Sequence, residues 1–183
     1  MLFRWPAFLA FIVLATTLFA AGSFAESTFA DWSVGKMPDN MGLYAATRND
    51  SGLVFGEYCY SKTGKCLWLI GTGAACDRGH HYPVLANTDA GSTTLEIICA
   101  GGPLQLSGKT VYTYSFSDWN RLNSLVRKST RFGLAVPMKS DQFEAWRFSL
   151  NGLLAATSAM EAAFTNSLQK TGPKSQGTLT TTL

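Results

Sequence analysis

Between Leu43 and Leu150 the apolar residues fall into short alternating or continuous runs, each broken by Gly, Asn, Asp or Ser, which is the pattern of β-strands separated by turns. The runs are Leu43 to Arg48, Val54 to Tyr60, Cys66 to Ile70, Tyr82 to Asn87, Thr93 to Cys99, Thr110 to Phe116, Phe132 to Pro137 and Phe143 to Leu150. In Val111-Tyr-Thr-Tyr-Ser-Phe116 the alternation is strict, so Tyr112, Tyr114 and Phe116 share one face and Val111, Thr113 and Ser115 the other. Asn49-Asp-Ser-Gly52 reads as a turn, with residues that tolerate positive φ. The spacing predicts a mainly β fold, an antiparallel sandwich or small barrel of about eight short strands.

Two segments carry a helical period instead. After Asn151, a candidate N-cap, the residues Leu153, Thr157, Met160, Phe164 and Leu168 fall on one stripe among alanines, which predicts a C-terminal α-helix packed on the sheet. A shorter helix is expected from Asp118 to Lys128, burying Trp119, Leu122, Leu125 and Val126. From Gln169 to Leu183 the chain is Lys, Gly, Ser and Thr with one Pro and no apolar period, the composition of a disordered tail.

The N-terminus belongs to a different class of segment. Arg4 precedes an uncharged apolar run from Ala7 to Ala21, and Ser23-Phe24-Ala25 places small residues where a signal peptidase cuts, so residues 1–25 read as a secretory signal peptide. Trp5 to Ala21 approaches the length of a membrane span, but no basic stop-transfer cluster follows it. Membrane association is therefore expected only if the signal is left uncleaved, and the expected location is periplasmic or secreted. Residues 26–168 form a single β-rich domain in this reading, followed by the tail at 169–183.

Composition narrows the function classes. Of 183 residues, 15 are Lys or Arg and 12 are Asp or Glu, a small net charge of +3 that calls for no particular polyanion. Export and this weak charge together argue against a nucleic-acid partner. The four cysteines, Cys59, Cys66, Cys76 and Cys99, are even in number and bound for an oxidising compartment, so disulfides are expected over free thiols. Three pairings are possible. Cys59 with Cys66 and Cys76 with Cys99 is favoured, because Tyr58-Cys-Tyr-Ser-Lys-Thr-Gly-Lys-Cys66 reads as two strand ends about a Gly-containing turn.

Candidate chemistry is sparse. His80 and His81 are the two histidines, within Asp77-Arg-Gly-His-His81, a segment that reads as a polar loop. A zinc set of Cys66, Cys76 and either histidine lacks the tight cysteine clip of structural sites and would compete with oxidation, so no metal is expected. Gly71-Thr-Gly73 lacks the third glycine and following helix of a dinucleotide site and reads as a turn; no cofactor is expected. Asp89, Glu96, Asp118, Asp141 and Glu144 are scattered, and no catalytic residue is assigned. Arg121, Arg127, Lys128 and Arg131 form a run of cations at the end of the shorter helix, a candidate docking patch for an anionic envelope component or an acidic protein. Tyr58, Tyr60, Trp68, Tyr112 and Tyr114 could line a groove, although core packing is the commoner fate of such aromatics.

The stretch from Phe132 to Met160, with its strand, its Ser149-Leu-Asn-Gly152 helix start and its alanine-rich helix Ala155 to Met160, resembles the C-terminal part of the invasion-associated locus B family of exported bacterial proteins. The Asp31-Trp32-Ser-Val34 opening is also similar. The cysteine that usually follows the opening Trp in that family is replaced here by Gly35-Lys-Met-Pro38. The resemblance implies a periplasmic or outer-membrane-associated β domain, linked in some pathogens to host-cell invasion, and implies no catalytic residues. The expected function is thus a non-enzymatic binding or interaction module of the bacterial envelope, with a host-interaction role among its implications. An envelope-polymer hydrolase using a carboxylate or the His pair, or an inhibitor or immunity protein, is the alternative.

Overall fold

The computed structural model describes residues 26–106, 108–137 and 143–171. The expected signal peptide and all but the first three residues of the expected tail lie outside the described residues, as does Asp141. The strands are β1 (Ser27–Phe29), β2 (Trp32–Lys36), β3 (Gly42–Arg48), β4 (Val54–Tyr60), β5 (Lys65–Thr72), β6 (His81–Thr88), β7 (Gly91–Leu106), β8 (Lys109–Phe116), β9 (Arg131–Pro137) and β10 (Phe143–Ser149). The helices are α1 (Trp119–Val126) and α2 (Leu153–Thr171).

All ten strands belong to one antiparallel sheet in the order β1-β2-β3-β4-β5-β8-β7-β6-β9-β10. The mainly β architecture with a C-terminal helix packed on it is as the sequence predicts, and among the described residues the strands number ten rather than about eight. The two additional strands, β1 and β2, are too short to show a period of their own. Strand β7 also runs past its expected end at Cys99, because irregularities between Cys99 and Leu104 absorb Gly101, Gly102 and Pro103 without ending the pairing with β8.

The sheet does not close into a barrel. It curls until its ends meet through other bonds: Trp32 Nε1 donates to the Ser149 carbonyl at 3.0 Å, Asp31 N to the Asn151 carbonyl at 3.2 Å, and Ser149 Oγ to Asp31 Oδ2 at 2.6 Å. The inner face is apolar, and Phe55 on β4 lies at its centre. Its ring stacks on Phe132 of β9 at 4.8 Å and on Trp68 of β5 at 5.1 Å, and meets Trp32, Phe116 and Phe148 at 5.5 to 6.1 Å. Strands far apart in the sheet order are held together through that one ring.

Helix α2 covers the inner face of β1 to β3 with the expected stripe: Leu153, Thr157, Met160 and Phe164 are buried and Leu168 packs at the margin. Gly152 starts it at φ +92°, and a Cβ there would lie 1.9 Å from the Phe29 carbonyl oxygen, so only glycine fits this turn. The Asp118 carboxylate caps α1 by accepting from Arg121 N at 2.9 Å, and Leu122 and Val126 enter the core. Cystines Cys59–Cys66 and Cys76–Cys99 are formed, the first joining directly opposed positions on β4 and β5, the second tying the loop before β6 to β7.

Replacing Phe55 by Ala should cost about 3–5 kcal/mol of stability in chemical denaturation, with Phe55→Leu costing less than half as much; equal losses would remove the ring contacts from the account. Removing Cys76–Cys99, which closes 23 residues, should cost about 3 kcal/mol, more than removing Cys59–Cys66, which closes 7. The comparison is made by denaturing the two double Cys→Ser variants.

Candidate functional site

Strand register arranges the face turned away from α2 into rows. One row runs Gly35, Tyr44, Tyr58, Leu67 across β2 to β5. The next is Ser33, Ala46, Gly56, Leu69, and the third is Arg48, Val54, Gly71, Thr113. The middle row is small over three of its four strands and lies lower than its neighbours. The result is a trough crossing the strands for roughly 15 Å at normal strand spacing, part of a groove of about 780 Å³.

The tyrosines form one wall. A Cβ on Gly35 would lie 2.7 to 3.0 Å from the Tyr44 ring and hydroxyl, so glycine is what lets this ring lie down across β2. Tyr44 and Tyr58 have ring centroids 6.0 Å apart and planes inclined by 29°, and Tyr60 continues the wall. Met37 and Pro38 close that side, while the exposed Met41 and Leu104 project at the rim. Arg48 stands on the opposite wall, its guanidinium held by the Gly52 carbonyl at 2.9 Å, and Glu26 and Asp31 lie at the β1 end. Tyr44 donates to Glu26 Oε1 at 3.3 Å. Burial first, and then the Glu26 carboxylate, raises the Tyr44 hydroxyl above the ordinary phenol value; burial raises Tyr58 and Tyr60 as well. The three hydroxyls stay protonated at neutral pH and can both donate and accept.

The inner face holds a second unusual group. Alternation along β4 places Glu57 between Phe55 and Cys59 on the core side, where it is 1% exposed. Among the described residues its Oε2 has no hydrogen-bond partner, and the indole nitrogens of Trp68 and Trp119 likewise have none. Burial, followed by the Glu161 carboxylate, pushes the Glu57 carboxyl up to about 7, opposed in part by Arg127 and by the nearby Trp119 indole N–H, which makes no bond of normal geometry. Glu57, Cys59 and Cys66 have ligand atoms within 4.8 Å of one another, but bridged sulfurs are not thiolate donors, so this is not a metal-binding set in the oxidised chain.

The expected site residues separate. Of the candidate aromatics, Tyr58 and Tyr60 line the trough, whereas Trp68, Tyr112 and Tyr114 point into the core. Tyr44 joins them from outside the candidate set, and the sequence signal for it is the set of glycines, Gly35, Gly56 and Gly71, at strand positions facing one side. Of the cations, Arg121 bonds Thr93 Oγ1 at 2.5 Å, and Arg127 turns inward to Asn123 Oδ1 at 2.9 Å and Glu161 Oε1 at 2.8 Å. Lys128 is exposed, and Arg131 lies 3.5 Å from Asp89 in a smaller groove of about 630 Å³ over β6, β9 and β10.

His81 Nδ1 lies 2.9 Å from Glu96 Oε1 and His80 lies 3.8 Å from Asp77, both exposed and outside either groove. Cys66 and Cys76 belong to different cystines, which breaks up the zinc set considered from sequence. Gly71 is a strand residue rather than part of a turn, and a Cβ there would meet Val111 Cγ1 at 2.9 Å. Asp89, Glu96, Asp118 and Glu144 each serve a local partner: Thr130, His81, the α1 cap and Trp146 Nε1.

No family model and no curated protein matches the chain. Among solved structures it is similar to the crystal structure of invasion associated protein B from Bartonella henselae, with 15% sequence identity and a TM-score of 0.52, over 76% of this chain and 97% of that one. At this identity the likeness is one of fold. It agrees at that level with the resemblance carried by Ser149 to Gly152 and the following helix.

The Glu57 geometry fixes a pH dependence. A carboxyl raised from 4.5 to about 7 by folding keeps its proton in the folded chain after the unfolded chain has lost it. Its contribution is fully present below about 4.5 and is lost as pH rises to about 7. Glu57→Gln should therefore stabilise the chain at pH 8 by a figure on the order of 3 kcal/mol and leave it little changed at pH 4. Denaturation at both pH values reads this, and a variant less stable at pH 8 would contradict it.

Proposed function

We propose that the chain is an exported bacterial protein of the periplasm or cell exterior that acts by binding rather than by catalysis, and that the tyrosine trough is its binding surface. The observation that carries this reading is the trough itself. Two tyrosine rings, a methionine and a leucine stand over a floor kept low by Ser33, Ala46 and Gly56, and apolar surface left open in this way is characteristic of recognition sites. The reading of residues 1–25 as a signal peptide, the two cystines and the fold-level likeness to an invasion associated protein support the location. The partner is an envelope component or a protein that meets the envelope.

The trough and the surface cations make opposite predictions. With the chain immobilised and an envelope extract flowed over it, Tyr44→Ala with Met41→Ser should reduce bound material by about tenfold, the effect of losing roughly 1.4 kcal/mol. Lys128→Glu with Arg131→Glu should leave binding within about twofold, the range of a screened surface charge. The reverse pattern would move the binding surface to the end of α1 and overturn the proposal.

A further inference from the structure

Resting on the reading of the trough as a binding surface, we infer that its ligand is a neutral oligosaccharide, taken as an extended chain lying across β2 to β5. The first argument is what the backbone can offer. Along the trough floor each position is paired with the next strand, Thr28 of β1 with Ser33, Ser33 with Ala46, Ala46 with Gly56, Gly56 with Leu69 and Leu69 with Ser115 of β8, so the floor offers a peptide no free ladder edge for strand addition. Recognition must come from side chains.

The side chains present are ring faces interleaved with hydroxyls. Tyr44 lies flat over Gly35 beside Tyr58, giving a pair of aromatic faces with protonated hydroxyls, while Ser33 and Thr113 add hydroxyls at the floor and far end. A pyranose ring has the matching construction, an apolar face of C–H groups bounded by equatorial hydroxyls that need both donors and acceptors. A length of roughly 15 Å suits an extended run of about three sugar rings.

Charge complementarity decides against the other occupants. Arg48 on one wall faces the carboxylates of Glu26 and Asp31 at the β1 end, so the rim presents both signs and no field that would collect an anionic lipid or an acidic chain. An acyl chain would also have to cover the Tyr58 hydroxyl and the Arg48 guanidinium without offering either a hydrogen bond, a cost a polyhydroxylated ligand avoids. A neutral ligand rich in hydroxyls satisfies the Arg48 donors and the carboxylate acceptors together.

The experiment titrates the intact chain separately with chitotetraose, cellotetraose, dodecanoic acid and an uncharged apolar hexapeptide. It follows heat by calorimetry and the ring signals of the tyrosines by NMR. The inference expects at least one of the two saccharides to shift Tyr44 and Tyr58. Tyr44→Ala should weaken that binding by about tenfold or more, and Tyr44→Phe, which keeps the ring, by about threefold or less. Unfolding midpoints of both variants separate a lost contact from a lost fold, and Tyr44→Phe keeps the test valid if Tyr44→Ala fails to fold. If only the fatty acid or the peptide shifts these rings, the oligosaccharide inference is overturned while the trough remains a binding surface. If none of the four shifts them and the extract is also retained by the trough variant, both readings fall together.

Discussion

The fold depends on a single aromatic junction. A ten-stranded antiparallel sheet has two long faces to cover, and the chain supplies only two helices among the described residues, one of them eight residues long. Curling solves the shortage, since the inner face of β4 and β5 is covered in part by that of β9 and β10. Phe55 is where the two surfaces meet, with Phe132 stacked on one side and Trp68 on the other. Once those rings are in place, α1 and α2 need only fill the remaining opening, which they do through Leu122, Val126, Met160 and Phe164. The outer face is then left uncovered over β2 to β5, and the trough is there because nothing else of the described chain is needed to complete the core.

Glu57 shows how little slack that arrangement leaves. The alternation that points Phe55 inward also points Glu57 inward two residues later, to a place where a helix-borne ion pair, Arg127 with Glu161, passes nearby. Burial of an ionised carboxylate without a full set of partners is unfavourable, so the neutral form is retained to higher pH than on the surface. The pair between Arg127 and Glu161 links α1 to α2 across that site. A cation that reads as surface charge in the sequence serves instead to join the two helices.

Most of the architecture is legible from residue order because it rests on local signals. The alternating or continuous apolar runs of β3 to β10, the stripe of α2, the Asp118 cap and the hairpin between Cys59 and Cys66 each declare themselves within a few residues. What is not legible needs register. That Ser33, Ala46 and Gly56 form one low row, and that Tyr44 stands beside Tyr58, follows only once β2, β3 and β4 are aligned to the residue. The same reason explains why Tyr58 and Tyr60 parted from Trp68, Tyr112 and Tyr114, for which sequence offers face parity within a strand but not which face the core will take. Glu57 carries no such signal in the sequence, because a lone carboxylate in an apolar run is most often solvated.

The bond from Trp32 to the Ser149 carbonyl spans 117 residues, and Trp32 is fully buried by what surrounds it. It sets an order in time. As the chain emerges from N to C, β2 waits with its indole uncovered until β10 and the start of α2 have followed. Folding of such long sequence separation is slow, and its half-built forms display apolar surface to their neighbours. A chain with this topology therefore places a demand on whatever holds the nascent polypeptide, since truncation anywhere before Ser149 leaves the first strands without their closing partner.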